Sequence, residues 1–119
     1  MSLRDKFEAM DNLEVVKYEV DWIDEPVYLK QFDGKTRDAY LKVVQSKTDR
    51  DGNIDVTGIS ALLISKCLCD ESGEVLFNNK SGVDMINSKS AKIINDLFDK
   101  SQKINAVGGD QVEDIEKNS

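Results

Sequence analysis

Histidine is absent from this chain of 119 residues, which excludes Ser-His-Asp and Cys-His catalytic groups and imidazole ligands for a metal. Basic residues are fewer than acidic ones. The chain has 16 lysines and arginines and 23 aspartates and glutamates, which gives a net charge of −7. This balance argues against binding to nucleic-acid phosphates and against docking on an anionic membrane. No apolar run approaches the ~18 residues of a membrane-spanning helix. We therefore expect a soluble, cytoplasmic protein with no nucleic-acid or membrane partner.

Cysteine is nearly absent as well, with Cys67 and Cys69 as the only two. On a helix their spacing points the side chains about 200° apart, and on a strand they face opposite sides, so a disulfide between them has poor geometry. A zinc site would need two further soft ligands, which the chain lacks. We expect two core thiols in a reducing compartment and no metal.

The length fits one domain, residues 1–119, because single domains cluster near ~100–150 residues. Hydrophobic periodicity divides it into a hairpin region, residues 1–33, and a mainly helical region, residues 34–119. The predicted fold class is α+β. In this fold an N-terminal β-hairpin or small antiparallel sheet packs against several α-helices, and the C-terminal half is helical.

The hairpin region begins with Ser2, which predicts the N-cap of a short helix. Apolar and charged residues then alternate from Leu13 to Ile23, which predicts a half-buried strand in which Trp22 packs against a helix. The only proline, Pro26, follows a turn and precedes a second strand predicted over Val27 to Phe32. Two strands are marginal in water, so helices or a further strand must cover them.

The second region carries a series of helical patterns separated by polar turns. They cover Lys35 to Lys47 with the stripe Ala39, Tyr40, Val43 and Val44; Ile59 to Leu68; a helical turn from Ser81 with Asp84 as its capping partner; and Ser88 to about Asn105. The second pattern is apolar on most sides, which predicts a helix in the centre of the domain. The last one places Ala91, Ile94, Leu97, Phe98 and Ile104 on one face and Asp96, Lys100 and Lys103 on the other. A short extended piece is predicted over Glu74 to Phe77.

Residues 49–55 read Asp-Arg-Asp-Gly-Asn-Ile-Asp and place oxygen ligands at alternate positions, as a calcium loop does. The match fails at its sixth position, where Ile54 replaces the required glycine, and at its twelfth, where Ser60 replaces a bidentate glutamate. The segment therefore predicts a solvated turn. A second acidic group, Asp70, Glu71 and Glu74, flanks a glycine turn, where solvated carboxylates are expected. We predict no catalytic residue, no cofactor and no metal.

The order of several segments carries a resemblance to a known family. These are the opening Met-Ser-Leu-Arg-Asp-Lys-Phe, residues 32–40 (Phe-Asp-Gly-Lys-Thr-Arg-Asp-Ala-Tyr), Ala61-Leu62-Leu63, residues 69–77 (Cys-Asp-Glu-Ser-Gly-Glu-Val-Leu-Phe) and Lys103-Ile104-Asn105. In order, spacing and length the chain resembles the tail assembly chaperones of long-tailed, lambda-like bacteriophages and prophages over nearly its whole length. Lys35 departs from the small or acidic residue that members often carry there.

The resemblance implies a non-enzymatic assembly factor in the bacterial host cytoplasm, absent from the mature virion. It implies two partners, the tape measure protein, which such proteins coat, and the tail tube protein, which they recruit; self-association is left open. For the partner-binding face we predict Ile104, Val107, Val112 and Ile115, while Ile94, Leu97 and Phe98 fit a core contact better. For Val112 and Ile115 a core contact is an equal alternative. Two other hypotheses are kept. One is a structural tail or head-completion protein retained in the virion, and the other a small metal-dependent hydrolase using Asp49, Asp51 or Asp70.

Overall fold

A small antiparallel sheet and five helices make up the described part of the chain, residues 2–10, 13–56 and 58–105 of the computed structural model. The helices are α1 (Leu3–Glu8), α2 (Gly34–Ser46), α3 (Ile59–Cys67), α4 (Lys80–Asn87) and α5 (Ala91–Asn105). The strands are β1 (Val15–Tyr18), β2 (Val27–Lys30) and β3 (Leu68–Cys69), in the sheet order β1-β2-β3. The predicted α+β class is confirmed. Within this part of the chain no helix combines the length and the apolar character needed to cross a membrane.

The predicted hairpin is present, with Val15 opposite Lys30 and Tyr18 opposite Val27. The first strand is shorter than predicted, because β2 begins at Val27 and leaves the chain beyond Tyr18 without a strand to pair with. Residues 21–25 form bends instead, although burial still alternates as far as Trp22. Trp22 therefore packs against a helix, as predicted, but it does so from a loop and not from the sheet.

The third strand follows α3 without a loop, since Leu68 turns from helical to extended backbone. It pairs antiparallel with β2, with Tyr28 opposite Cys69. The prediction of an extended piece over Glu74 to Phe77 is only partly right, because Val75 makes one bridge to Cys69 and no further strand forms in the described residues. The region predicted to be mainly helical thus supplies the third strand, which lies at one edge of the sheet.

One predicted helix start is confirmed and two are wrong. At α1, Ser2 is the N-cap, as predicted, and its side chain accepts a hydrogen bond from the backbone of the first turn. At α4 the cap is Asn79 and not Ser81, because Asn79 has extended backbone and its Oδ1 accepts from the N–H of Gly82 at 2.7 Å. Ser88 ends α4 instead of opening α5, which begins at Ala91.

The hydrophobic core is built around α3, as its sequence predicted. Its buried side chains come from that helix and from β2, α2, α4 and α5; they are Leu29, Tyr40, Ile59, Ala61, Leu63, Ile64, Cys67, Ile86 and Leu97. Ala39 and Ala91, predicted on apolar stripes, are exposed. Ala39 lies beside the α2 stripe that Tyr40, Val43 and Val44 form, and Ala91 is the first residue of α5.

Both cysteines are buried and free, as predicted. Burial raises the pKa of the Cys67 thiol to about 11, and burial followed by the nearby Asp70 carboxylate raises the pKa of Cys69. A thiol with a raised pKa is a poor nucleophile at neutral pH. The two residues therefore act as small core side chains.

Candidate functional site: an apolar groove between the sheet and two helices

An open groove of about 580 Å³ lies between the sheet and helices α4 and α5. Its floor comes from β2 and β3, one wall from α4 and α5, and the other walls from the loops that contain Trp22 and Leu76. This size is in the range of protein cavities that hold ligands, ~300–1,000 Å³. We call this feature the groove and define it by its apolar residues Trp22, Ile23, Pro26, Val27, Tyr28, Leu68, Cys69, Leu76, Phe77, Met85, Ile86, Ile93, Ile94 and Leu97.

Several groove side chains remain accessible to solvent. Ile23 is 47% exposed and Leu76 is 49% exposed, although both are large aliphatic residues. Met85, Ile93 and Ile94 are half-buried, line the same groove and pack against the core. Contiguous apolar surface bordered by polar residues is typical of sites that bind a ligand or another protein. The groove is therefore the strongest candidate for a functional site in the described residues.

The first loop wall is fixed by polar contacts with α5. The indole Nε1 of Trp22 donates to Asp96 Oδ2 at 3.0 Å, and the ammonium group of Lys100 pairs with the same carboxylate. The Lys100 ammonium also lies 5.5 Å from the centre of the Tyr18 ring, within cation–π range. These bonds hold the loop after β1 against the helix and so position Trp22 and its neighbour Ile23 at the groove.

Asp96 is ionised at neutral pH because its partners favour the charged form. The hydrogen bond from Lys100, and after it the one from Trp22, hold the pKa of this carboxyl below its usual value. Asp96 and Lys100 were predicted on the solvent side of α5, yet both are only partly exposed. Asp96 and Lys100 are partly shielded from solvent because Trp22 and Tyr18 cover that side of the helix.

The second loop wall is a turn organised by Asp70. Its Oδ1 accepts hydrogen bonds from Ser72 Oγ at 2.7 Å, from the Ser72 N–H at 2.9 Å and from the Glu74 N–H at 3.0 Å. The bond from Ser72, followed by that from the Glu74 backbone, lowers the pKa of Asp70, so this carboxylate is charged at neutral pH. The turn also needs Gly73, which has a φ of +90°. It directs the chain back along β3 and presents Leu76 to the groove.

One end of the groove carries an acidic rim, which we define as Glu25, Asp70 and Glu71. The register explains why these three lie together. Tyr28 pairs with Cys69 in antiparallel strands, so the residues before Tyr28 and those after Cys69 run to the same end of the sheet. Lys89 is the only basic residue among the described side chains that line the groove. The groove therefore combines apolar walls with negative charge at one end.

The calcium-like segment forms a turn, as predicted. Asp49 Oδ1 accepts from the N–H groups of Asp51 and Asn53, both at 2.9 Å, and Thr48 bridges Ile54 across the loop. The Asp49 oxygen is thus used within its own turn. Over residues 2–10, 13–56 and 58–105 no three or more Cys, Asp or Glu side chains come together as a metal site would require.

Of the predicted partner-binding residues only Ile104 is described, and it does not line the groove. Ile104 is half-buried against the core, and its carbonyl accepts from Gln31 Nε2 at 2.9 Å. Val107, Val112 and Ile115 lie outside the described residues, so their role stays a prediction. Sequence reasoning missed the groove, although the aliphatic residues Ile23 and Leu76, each next to a polar turn, were the available signal. Ile94 and Leu97, assigned to the core, also face the groove.

Comparison with family models, curated proteins and solved structures finds no significant match to this chain.

Proposed function

We propose that this chain is a tail assembly chaperone of a long-tailed bacteriophage or prophage. It acts without catalysis by binding the tape measure protein and helping to recruit tail tube subunits in the cytoplasm of the bacterial host. The proposal combines the sequence resemblance with one structural observation, which is the open apolar groove between the sheet and helices α4 and α5. A chaperone for long, apolar helical segments needs such a surface.

A groove of this kind suits an amphipathic helix. Helices dock in grooves through apolar side chains spaced three or four residues apart, which insert between the walls while the polar face stays in water. The exposed Ile23 and Leu76 side chains give such a ligand apolar contacts on two sides of the groove. The net charge of −7 supports the same role, because like charge keeps a loaded complex soluble.

The hydrolase hypothesis has less support than the chaperone proposal. Asp49 and Asp70, two of its three candidate carboxylates, each accept backbone hydrogen bonds within their own turns. A carboxylate held in this way organises its own loop.

The test of the proposed function is co-expression with the tape measure protein encoded in the same genome. We expect the tape measure protein to become soluble and to co-purify with this chain. An insoluble tape measure protein with no complex would contradict the proposal. Mass spectrometry of purified particles separates the alternative, since abundant peptides of this chain in virions would favour a structural tail or head-completion protein.

A further inference from the structure

We propose that the groove binds one amphipathic helix of the tape measure protein, and that this helix carries lysine or arginine beside its apolar stripe, facing the acidic rim. This inference rests on the proposed function and adds the binding surface and the chemistry of the bound segment. It places the partner site at the groove, which Ile104 of the predicted face does not line.

The groove presents apolar side chains that a partner helix can cover. Met85, Ile93 and Ile94 form a half-buried surface, with Ile23 and Leu76 more exposed beside it. These side chains are supplied by two helices and two separate loops, and the polar bonds of Trp22 and Asp70 hold both loops in place. The surface is therefore formed before the partner arrives, which reduces the entropy lost on binding.

The charge of the rim selects the occupant. Glu25 and Glu71 are exposed, and Asp70 is ionised within its turn. Against these three carboxylates, Lys89 is the only basic residue among the described side chains that line the groove. A ligand with cations at that end gains favourable charge contacts, and one with carboxylates is repelled. Residues 106–119 of this chain contain four acidic residues and one lysine, and a second copy carries a net charge of −7. The chain's own C-terminal segment and a second copy are therefore disfavoured, and a basic partner helix fits.

A direct test uses two designed peptides of about 18 residues, or five helical turns. Both carry the same leucine stripe, with lysine beside it in one and glutamate in the other. Trp22 lines the groove and is the only tryptophan, so its fluorescence reports binding to the intact chain. We expect the lysine peptide to bind at least about tenfold more tightly at low salt, with the difference shrinking as salt rises. Equal affinities would overturn the charge assignment.

The position of the site is tested by a matched set of variants. Ile23→Ser and Leu76→Ser remove exposed groove side chains, and each should weaken binding of the lysine peptide about fivefold to tenfold. Ile54→Ser is the control, because Ile54 is also an isoleucine at 47% exposure and lies outside the groove. Equal losses in all three variants, or none in the groove variants, would overturn the proposal.

A second set of variants tests the acidic rim and changes only exposed residues, where substitutions usually have little effect on folding. Glu25→Lys combined with Glu71→Lys reverses two exposed rim charges, and Glu14→Lys combined with Asp99→Lys makes the same change in net charge away from the groove. The rim pair should lose most of the preference for the lysine peptide, while the control pair should keep it. Equal behaviour of the two pairs would mean that net charge and not the rim attracts the peptide.

The same variants separate failure of this inference from failure of the proposed function. If the tape measure protein co-purifies equally with the wild-type chain and with Leu76→Ser, the chaperone role holds and the groove assignment is wrong. If the tape measure protein does not bind but the lysine peptide does, with the expected variant pattern, the groove chemistry holds and the chaperone role is wrong. If the Trp22 fluorescence changed on addition of a fatty acid but not of either peptide, the groove would bind a lipid and not a helix. If the chain formed a dimer that Leu76→Ser dissociated, a second copy would occupy the groove.

Discussion

The two ends of α5 meet the rest of the protein in different ways. Near its start, the apolar side chains of Ile93 and Ile94 line the open groove. At its end, Asn105 Oδ1 accepts from the Phe32 N–H at 2.9 Å, and its Nδ2 donates to the Ser101 carbonyl at 3.0 Å and lies 3.3 Å from Cys67 Sγ. Directional polar bonds fix the second end, whereas the first keeps apolar surface uncovered. We infer that stability depends on the polar end and binding on the groove end.

The largest effect on stability is expected from Asn105→Ala. The substitution leaves the Phe32 N–H without its acceptor in a partly buried position and also removes the contacts to Ser101 and Cys67. Losing one partner of such bonds costs about 2–3 kcal/mol. Urea unfolding measures the loss, with Asn95→Ala, an exposed asparagine on the same helix, as the control expected within about 0.5 kcal/mol. Similar losses in both variants would refute the contrast between the two ends.

Local patterns explain which parts of the fold the sequence could predict. The alternation around Lys17 and the all-round apolar character of α3 are properties of neighbouring residues, so periodicity identified the hairpin and the central helix. Strand β3 has only two residues, too few for any periodicity to show. Its place at the sheet edge depends on pairing with the distant β2.

The groove and the polar end were beyond such reasoning because they depend on contacts between distant residues. Trp22 and Asp96 are 74 residues apart, and Phe32 and Asn105 are 73 apart. No local pattern encodes either pair. The predicted partner residue Ile104 shows the same limit. Its helical stripe was identified, but its packing against the core and the hydrogen bond from Gln31, 73 residues away, were not.

A smaller loss of stability is expected at the groove end from Trp22→Phe. The phenyl ring keeps most of the packing, and the substitution removes the hydrogen bond to Asp96 at a partly buried position. A hydrogen bond to a charged group is worth about 1.5–3 kcal/mol, and the partial exposure of Asp96 keeps the loss near the lower limit, below the value expected for Asn105→Ala. Urea unfolding followed by circular dichroism measures it, because the variant has no tryptophan.

A double-mutant cycle shows whether that loss belongs to the bond. If Asp96 is the partner that matters, Trp22→Phe should have little further effect in an Asp96→Ala background, which offers no side-chain acceptor for the indole N–H. Additive losses would mean that Trp22 stabilises the loop through packing alone.

The smallest effect is expected from protonation of Asp96 in acid. Its pKa is lower in the folded chain, so its contribution to stability is complete above the unfolded value of about 3.9 and is lost as the pH falls through the folded value. Asp33 and Asp70 also have lowered pKa values, so the wild-type chain loses stability from several carboxylates at once. The difference between wild type and Asp96→Asn isolates one of them. Because the Asp96 side chain is 33% exposed, solvent weakens its ion pair with Lys100 and keeps this difference small.

Unfolding free energies of both proteins, measured from pH 7 to pH 3, should therefore converge as the pH falls below about 4. The polar end of α5 depends on neutral amide groups, so Asn105→Ala should keep its deficit against wild type over the same range. A deficit of Asp96→Asn that stayed constant with pH would show that the Asp96 carboxylate does not stabilise the wall of the groove through its charge. The loop wall would then depend on the packing of Trp22, and the two ends of α5 would differ less than the hydrogen bonds indicate.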